Sequence, residues 1–484
     1  MRTIGNTPVD GEVRAVASGA LANGDTVVVN SDGTVSAVGG GSGTEGVGTP
    51  VVFDAASVSY TSSTYDSNSD RTVAIFMRSG SRAAVGTIDP SDNSISFGTP
   101  VLASELGAGQ WNSITFDAST NKVAWFNNSY CGVGTVDPSD NSISFGTPIF
   151  RPFGFDVQWT SAVYDSNSSR VVFLARKELS PQEGWALVGT VSGTSLSFGS
   201  PVKFQSGTVT NIAATFDSNS NRVVIAFRHD SSSNYGKAIV GSVDPSDNSI
   251  SFGTAVTFNS GNTYRMGCGF DSLNNKAVIS YRNSATGGNS YGTAIVGTVD
   301  PSDNSISYGT SVVFHSGTTG FGTSVVFDSA AGKIVIAYDD DTNVSGRVIS
   351  GTVSGTSITF DTAVAFESGN TQYVFASYDS TSERVAIVYE DDANLDYGTS
   401  NVFSVGYSST NLTAENFIGF ADGAAADGTS AVVQTGCSIN DAQSGLTAGQ
   451  DYYVQLNGTL SETPADPSVF ACTAVSATKL IVKG

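Results

Sequence analysis

Phe216-Asp217-Ser218-Asn219-Ser220-Asn221-Arg222-Val223-Val224-Ile225-Ala226-Phe227-Arg228 is the stretch on which the fold turns. An aromatic and an aspartate close one apolar run, a short Ser/Asn segment follows, and a second apolar run begins. Short apolar runs bounded by Ser, Asn and Asp read as strands joined by a turn. Working outward, a third run occupies 238–243, and Asp244-Pro245-Ser246-Asp247-Asn248-Ser249 separates it from a fourth at 250–258. Proline at the second turn position presets φ, and Asp and Asn bond their own backbone, so this segment is a tight hairpin. The run ending at the aspartate is strand A, and B, C and D follow it in order.

The aromatic–aspartate pair recurs at Tyr65-Asp66, Phe116-Asp117, Tyr164-Asp165, Phe216-Asp217, Phe270-Asp271, Phe327-Asp328 and Tyr378-Asp379. Successive aspartates are 51, 48, 52, 54, 57 and 51 residues apart. Four-stranded units at this period predict a seven-bladed β-propeller. The C–D hairpin occurs near 89–94, 137–142, 244–249 and 300–305, with a shorter Ser-Gly-Thr-Ser form at 192–195 and 354–357. The seventh repeat has A, B and C but no D. Residues 48–53, Gly-Thr-Pro-Val-Val-Phe, match the D strands and precede the first repeat. They are therefore expected to pair beside 402–408 and close the ring, removing an open sheet edge.

Composition agrees with strand and turn. Of 484 residues, 14% are charged, and 54 are glycine. The net charge of −22 repels phosphate backbones and anionic lipid, so neither nucleic acid nor membrane is an expected partner. The N-terminus carries no apolar signal-peptide core. Cys131, Cys268, Cys437 and Cys472 are too few for a disulfide framework and are expected to be free thiols.

Outside the repeats, 21–36 aligns without gaps on 446–461, each copy reading strand, Asp/Asn-Gly turn, strand. The expected organisation is a split β-domain, 1–46 with 410–484, carrying the propeller of 47–409 as an insert. The Gly-Ser stretch 39–46 and residues 408–411 are its hinges. Three C-terminal segments carry a resemblance: Leu-Thr-Ala-Glu-Asn-Phe-Ile-Gly-Phe-Ala-Asp-Gly (412–423), Asp-Ala-Gln-Ser-Gly-Leu-Thr-Ala-Gly-Gln-Asp-Tyr-Tyr-Val-Gln (441–455) and Thr-Lys-Leu-Ile-Val-Lys-Gly (478–484). Together they resemble a module that ends structural proteins of marine tailed bacteriophages, of tail-fibre or virion structural type. The resemblance covers about 75 C-terminal residues and, more weakly, 17–38. It implies a virion component made in the host bacterial cytoplasm and attached to other virion proteins through the split domain.

Chemistry is sparse at this level. His229 and His315 occupy non-equivalent positions, which argues against a His-based metal site or triad. The sialidase Asp-box, Ser-x-Asp-x-Gly-x-Thr-Trp, is absent. Asp66/Arg71, Asp165/Arg170, Asp217/Arg222 and Asp379/Arg384 read as pairs within A–B turns. The Asp-Pro-Ser-Asp-Asn turns lack calcium-loop spacing, so no metal or cofactor is expected. The A–B and C–D turns are nearly uniform, whereas the D–A and B–C loops differ in every repeat. Variable aromatic loops on a rigid scaffold are where binding is expected. They nominate Trp111, Phe153, Phe155, Trp159, Trp185, Tyr235, Tyr264, Arg265, Tyr291 and Tyr373, together with the acidic runs 339–341 and 390–392. The expected function is a non-enzymatic virion protein that displays the propeller for adhesion to a host-surface glycan or receptor, as a monomer or homo-oligomer. A purely structural capsid or tail decoration protein is the first alternative. A virion glycoside hydrolase is the other, and a buried cluster of carboxylates in one pocket would favour it.

Overall fold

The computed structural model is all-β, built from repeated four-stranded antiparallel sheets and a smaller β-unit. It describes residues 11–39, 42–43, 45–104, 109–284, 290–408, 411–455, 458–464 and 468–482. The expected hinge at 39–46, that at 408–411 and the extreme N-terminus fall partly or wholly outside these residues. The chain divides into a compact unit of Glu45–Val405 and a second formed by Met1–Thr44 with Gly406–Gly484.

The fourth repeat shows how the sequence makes a sheet. Strand A (Val209–Asp217) pairs with B (Arg222–His229), B with C (Tyr235–Asp244), and C with Ser249–Phe252. Strand B lies between two neighbours and under two further sheets, so Val223 through Phe227 are all fully buried. That burial on both faces explains why B reads as a continuous apolar run rather than an alternating one. The same order holds from Ser59–Asp66 in the first repeat to Thr371–Asp379 in the last.

The fourth run differs from its expectation. It is two short strands, Ser249–Phe252 and Val256–Asn259, both paired with C. The break falls at Gly253, where a Cβ would sit 2.1 Å from the carbonyl oxygen of Asn304 in the next repeat. Gly48, Gly98, Gly146, Gly199 and Gly309 meet the following C–D turn in the same way, at Asn93, Asn141, Thr194, Asn248 and Thr356. The strand is interrupted so that the neighbouring turn can seat against bare backbone.

The residues read as A–B turn pairs are register partners closing each turn, Asp66 with Arg71, Asp165 with Arg170, Asp217 with Arg222 and Asp379 with Arg384, and their side chains do more than pair. Asp217 accepts hydrogen bonds from the backbone N–H groups of Asn219 and Ser220, whereas Arg222 donates to the Ser220 and Asn221 carbonyls of the same turn and also reaches beyond it. Its Nε donates to Asn304 Oδ1 (2.5 Å) and its guanidinium to the Pro301 carbonyl (2.8 Å), both in the next C–D turn. Arg71 reaches Asn141 and Pro138, Arg170 reaches Asn248 and Pro245, and Arg384 reaches Asn93 and Pro90. The last of these joins the seventh repeat to the first. There too, Gly46–Val47 and Val51–Ser57 pair with Tyr397–Ser404, in the register Val51↔Ser400 and Val47↔Phe403.

The first strands turn small side chains, among them Ser63, Ser161, Ala213, Gly267, Ser324 and Ala376, toward a common cavity of about 490 Å³.

In the smaller unit both chain flanks share one core. One sheet runs Glu12–Val16, Ser430–Gln434, Phe417–Ala421, Thr26–Val29, Val35–Ala37; the other runs Ile439–Asn440, Leu480–Val482, Val469–Ala474, Asp451–Val454, Leu460–Ser461. Val28 and Val38 from the N-terminal flank pack with Phe420, Val454, Ala471 and Leu480. All four cysteines are free, with Cys437 exposed and Cys472 buried.

Candidate functional site

Six of the seven first strands bulge near their start, the second repeat's beginning only at Ser113, and one equivalent position per repeat there builds the site. The residue six positions before each anchor aspartate is Tyr60, Trp111, Trp159, Asn211, Arg265, Gly322 or Tyr373. Except for Gly322, all hold left-handed backbone, with φ between 48° and 62°. Bulky residues seldom adopt this conformation, and it costs about 1–3 kcal/mol wherever it persists. Six such residues at one equivalent position mark a place where the backbone is held against its preference. Hydrogen bonds between successive repeats hold it. Thr323 Oγ1 donates to the Arg265 carbonyl (2.8 Å), Arg265 N to Asn211 Oδ1 (2.9 Å), Thr160 to the Trp111 carbonyl, and Thr61 to the Tyr373 carbonyl.

These residues, with Phe321, line a cavity of about 160 Å³ that shares lining residues with the larger one. One side is aromatic: Tyr60 packs on Tyr373 (4.7 Å) and Trp111 (5.0 Å), and Trp111 on Trp159 (4.1 Å).

Charged residues gather near Arg265 and Phe321. Six positions after the Lys or Arg that opens each strand B stand, in order, Met77, Asn128, Arg176, Arg228, Arg282, Asp339 and Glu390. Tyr264 lies against two of these arginines, with Arg228 at 4.5 Å and Arg282 at 5.4 Å from its ring centre. Arg265 covers Phe321 at 4.2 Å. Burial and the neighbouring Arg282 make the protonated form of Arg265 less favourable, while Tyr373, Asp339 and Asp341 favour it.

Beside Phe321 stand paired carboxyls. Asp339 Oδ2 accepts the backbone N–H of Phe321 at 2.9 Å, and Asp339 Oδ1 is buried without a partner. A Cβ on Gly320 would lie 2.1 Å from Asp339 Oδ2 and 2.4 Å from Asp341 Oδ1, so both carboxyls converge on this glycine. Burial, and then the charges of Asp341, Asp392 and Asp340, push Asp339 up to about 7, against the Phe321 hydrogen bond. Burial and Asp340 also raise the exposed Asp341, while Arg282 and Arg265 pull it back. Glu390 is pushed to about 8 by burial and by Asp392 and Asp396. The arrangement can keep one carboxyl protonated near neutral pH beside a more exposed one.

Of the residues nominated from sequence, Trp111, Trp159, Arg265 and Tyr373 come together here, with Tyr264 among the arginines. Phe153 is core, packed on Phe126 (5.6 Å); Phe155 packs on Phe153 (5.8 Å) and Trp185 (5.4 Å). These three serve inter-strand packing. Tyr235 and Tyr291 open C strands and do not line the cavity. Tyr60, Asn211, Arg176, Arg228 and Arg282 were not nominated. Counting back from each anchor aspartate, or forward from the Lys or Arg that opens each B strand, would have found all five.

No family model and no curated protein matches the chain. Among solved structures it is similar to a mutant of NanB sialidase from Streptococcus pneumoniae, with TM-score 0.43 and 12% identity over 75% of this chain and 71% of that one. It is also similar to a leech intramolecular trans-sialidase, with TM-score 0.45 and 11% identity over 73% and 68%. Those structures are named sialidases. The expectation of a non-enzymatic adhesion protein is corrected at the carboxyls: the buried Asp339 and the exposed Asp341 converge on Gly320, a paired arrangement that expectation did not contain.

Proposed function

We propose that the larger unit is a seven-bladed β-propeller whose bulge-lined cavity is the active site of a glycoside hydrolase acting on an anionic sugar. The propeller reading is supported by the Arg384 and Thr61 hydrogen bonds and the Val51–Ser57 pairing, which tie the last repeat to the first. The activity rests on one observation: in a chain of net charge −22, Arg265 and Phe321 of an aromatic-lined cavity adjoin the paired carboxyls Asp339 and Asp341, with Arg282 acting on Asp341 as well. Aromatic rings take the apolar face of a sugar ring. Arginines take its carboxylate or sulfate in a fork. Glycoside hydrolysis needs a carboxyl that stays protonated near neutral pH and a second carboxylate nearby. In this reading the proton held on the buried Asp339 passes through the exposed Asp341 to the glycosidic oxygen as the anomeric C–O bond breaks; water adds to the anomeric carbon, and the proton it sheds returns to the carboxyl pair. The smaller unit is an attachment element, a reading that rests on the resemblance of 412–484 alone.

The test is a panel of 4-methylumbelliferyl glycosides of neutral and acidic sugars. Release of fluorophore from an acidic glycoside is expected, with rates down at least about 100-fold in Asp341→Asn and in Arg282→Ala. Absence of turnover on every glycoside by the folded wild-type chain would overturn the reading.

A further inference from the structure

We propose that Glu390, at the end of strand B of the seventh repeat, forms a calcium site with Asp392 and Asp396 of the loop that follows. One carboxylate oxygen from each lies within 4.8 Å of the others. Two oxygens bound to one Ca²⁺ at about 2.4 Å are at most about 4.8 Å apart, so this spacing suits a shared ion.

The fourth repeat supplies an internal control. After its strand B, Arg222–His229, comes a short 3-10 turn, Asp230–Ser232, and then two residues of positive φ, Ser233 and Asn234. The seventh repeat builds the same loop: strand Arg384–Asp391, turn Asp392–Asn394, then Leu395 and Asp396 with positive φ. In the fourth repeat the loop carries its own cation, with Arg228 Nε 2.5 Å from Asp230 Oδ1. In the seventh, Glu390 stands in place of Arg228 and Asp396 in place of Asn234. The loop shape is kept, while the built-in cation is exchanged for two more carboxylates.

Among the described residues, the groups that act on Glu390 are Asp392, through its charge and a side-chain hydrogen bond, and Asp396, both acidic. Glu390 is 8% exposed, and its Oε2 has no hydrogen-bond partner; the same holds for the buried Asp392 Oδ1. Leaving buried, unpaired carboxylate oxygens beside one another is costly, and a cation between them removes that cost. Asn370 and Gln372 each donate to Asp392 Oδ2, at 2.6 and 2.9 Å, which fixes that carboxylate and leaves Oδ1 toward the cluster. An all-oxygen set on an irregular loop suits Ca²⁺ better than Mg²⁺, which demands a near-ideal octahedron.

The experiment uses the full chain stripped of metal with a chelator, titrated with Ca²⁺ and separately with Mg²⁺, following heat of binding and Tm. One Ca²⁺ per chain is expected, with Kd on the order of 10⁻⁶ to 10⁻³ M, a Tm raised by a few degrees, and a weaker response to Mg²⁺. Asp396→Asn, which restores the fourth-repeat residue, should weaken Ca²⁺ binding at least about 10-fold. Glu390→Arg, which restores the internal cation, should abolish it while its metal-free Tm equals or exceeds that of the wild type. The proposal fails if the wild-type chain neither binds nor responds to about 10 mM Ca²⁺, where a shared proton would hold the cluster instead. It also fails if Glu390→Arg is folded and binds Ca²⁺ as the wild type does.

Discussion

Arg222 and Lys276 open strand B in successive repeats, and the choice between them follows what stands in the next sheet. Arg71, Arg170, Arg222 and Arg384 each face a long Asp-Pro-Ser-Asp-Asn turn and reach its Pro carbonyl and Asn side chain. Lys122 and Lys276 precede repeats with the short Ser-Gly-Thr-Ser turn, and Lys333 precedes the repeat that has no C–D turn at all. The glycines obey the same rule. At the place of Gly253, the sixth repeat has Asp361, which accepts from Ser350 Oγ (2.6 Å) and Lys333 Nζ (3.0 Å) because no turn arrives there. Arg222→Lys should therefore destabilise by about 1–2 kcal/mol, since a single ammonium cannot bond Asn304, Pro301, Ser220 and Asn221 together. Gly253→Ala should cost more, about 2–3 kcal/mol, because its Cβ meets backbone that cannot give way. Chemical denaturation measures both; equal stability of Gly253→Ala and wild type would refute the docking of the turn. The covariation of Arg with turn length was present in the sequence all along. It stayed hidden because Asp217 and Arg222 are five residues apart, and local pairing is the default reading of near neighbours. The destination of a long side chain across a sheet boundary has no local signature.

Among the strands, the joint between the N-terminal segment and the seventh repeat uses the same packing as joints inside continuous repeats. Phe204, Phe258, Phe314 and Phe366 lie over Gly184, Gly236, Gly292 and Gly346; Phe53 lies over Gly398. Phe53 also packs on Phe76 (5.1 Å) and Phe97 (5.3 Å) of the first repeat. A seam that bears load equally should respond equally, so Phe53→Ala and Phe204→Ala should each lose about 3–5 kcal/mol. A much smaller loss for Phe53→Ala in thermal or denaturant unfolding would mean that the seam is a loose latch. The strand sequence of each repeat was legible because apolar runs and Asp-Pro turns are local signals. The splitting of strand D was not, because Gly253 breaks it for a partner about 50 residues away. The site was half legible for a related reason. Aromatic identity nominated Trp111, Trp159 and Tyr373, but it nominated the packing residues Phe153 and Trp185 equally well. Only the backbone bulge separates the two sets, by turning one position per repeat into the cavity.

For the molecule as a whole, the raised carboxyls set a pH dependence that can be isolated. Asp339 moves from 3.8 to about 7 on folding, mainly through burial. The folded chain therefore holds a proton that the unfolded chain has released between about pH 4 and 7, and stability from this group is lost as pH rises through that window. Asp341, more exposed, and Asp328 are shifted in the same direction, each chiefly by burial. The turn aspartates Asp89, Asp137, Asp244 and Asp300 are shifted down by their hydrogen bonds to Ser91, Ser139, Ser246 and Ser302, so their effect lies below pH 4 and leaves the window clear. His315, lowered by burial against the pull of Asp340, works the other way in the acid half, since its contribution is lost as pH falls below the usual imidazole value. A comparison of variants separates these opposing slopes. Asparagine at 339 mimics the protonated carboxyl and can still face Arg265 and the Phe321 N–H. Asp339→Asn should match the wild-type Tm near pH 4 and exceed it by a margin that widens as pH rises to about 7 and then stays constant toward pH 8. If the wild-type and Asp339→Asn curves stay parallel from pH 5 to 8, the carboxyl is ionised throughout. It would then hold no proton for the chemistry proposed at Asp341, and that chemistry would have to be sought from another donor.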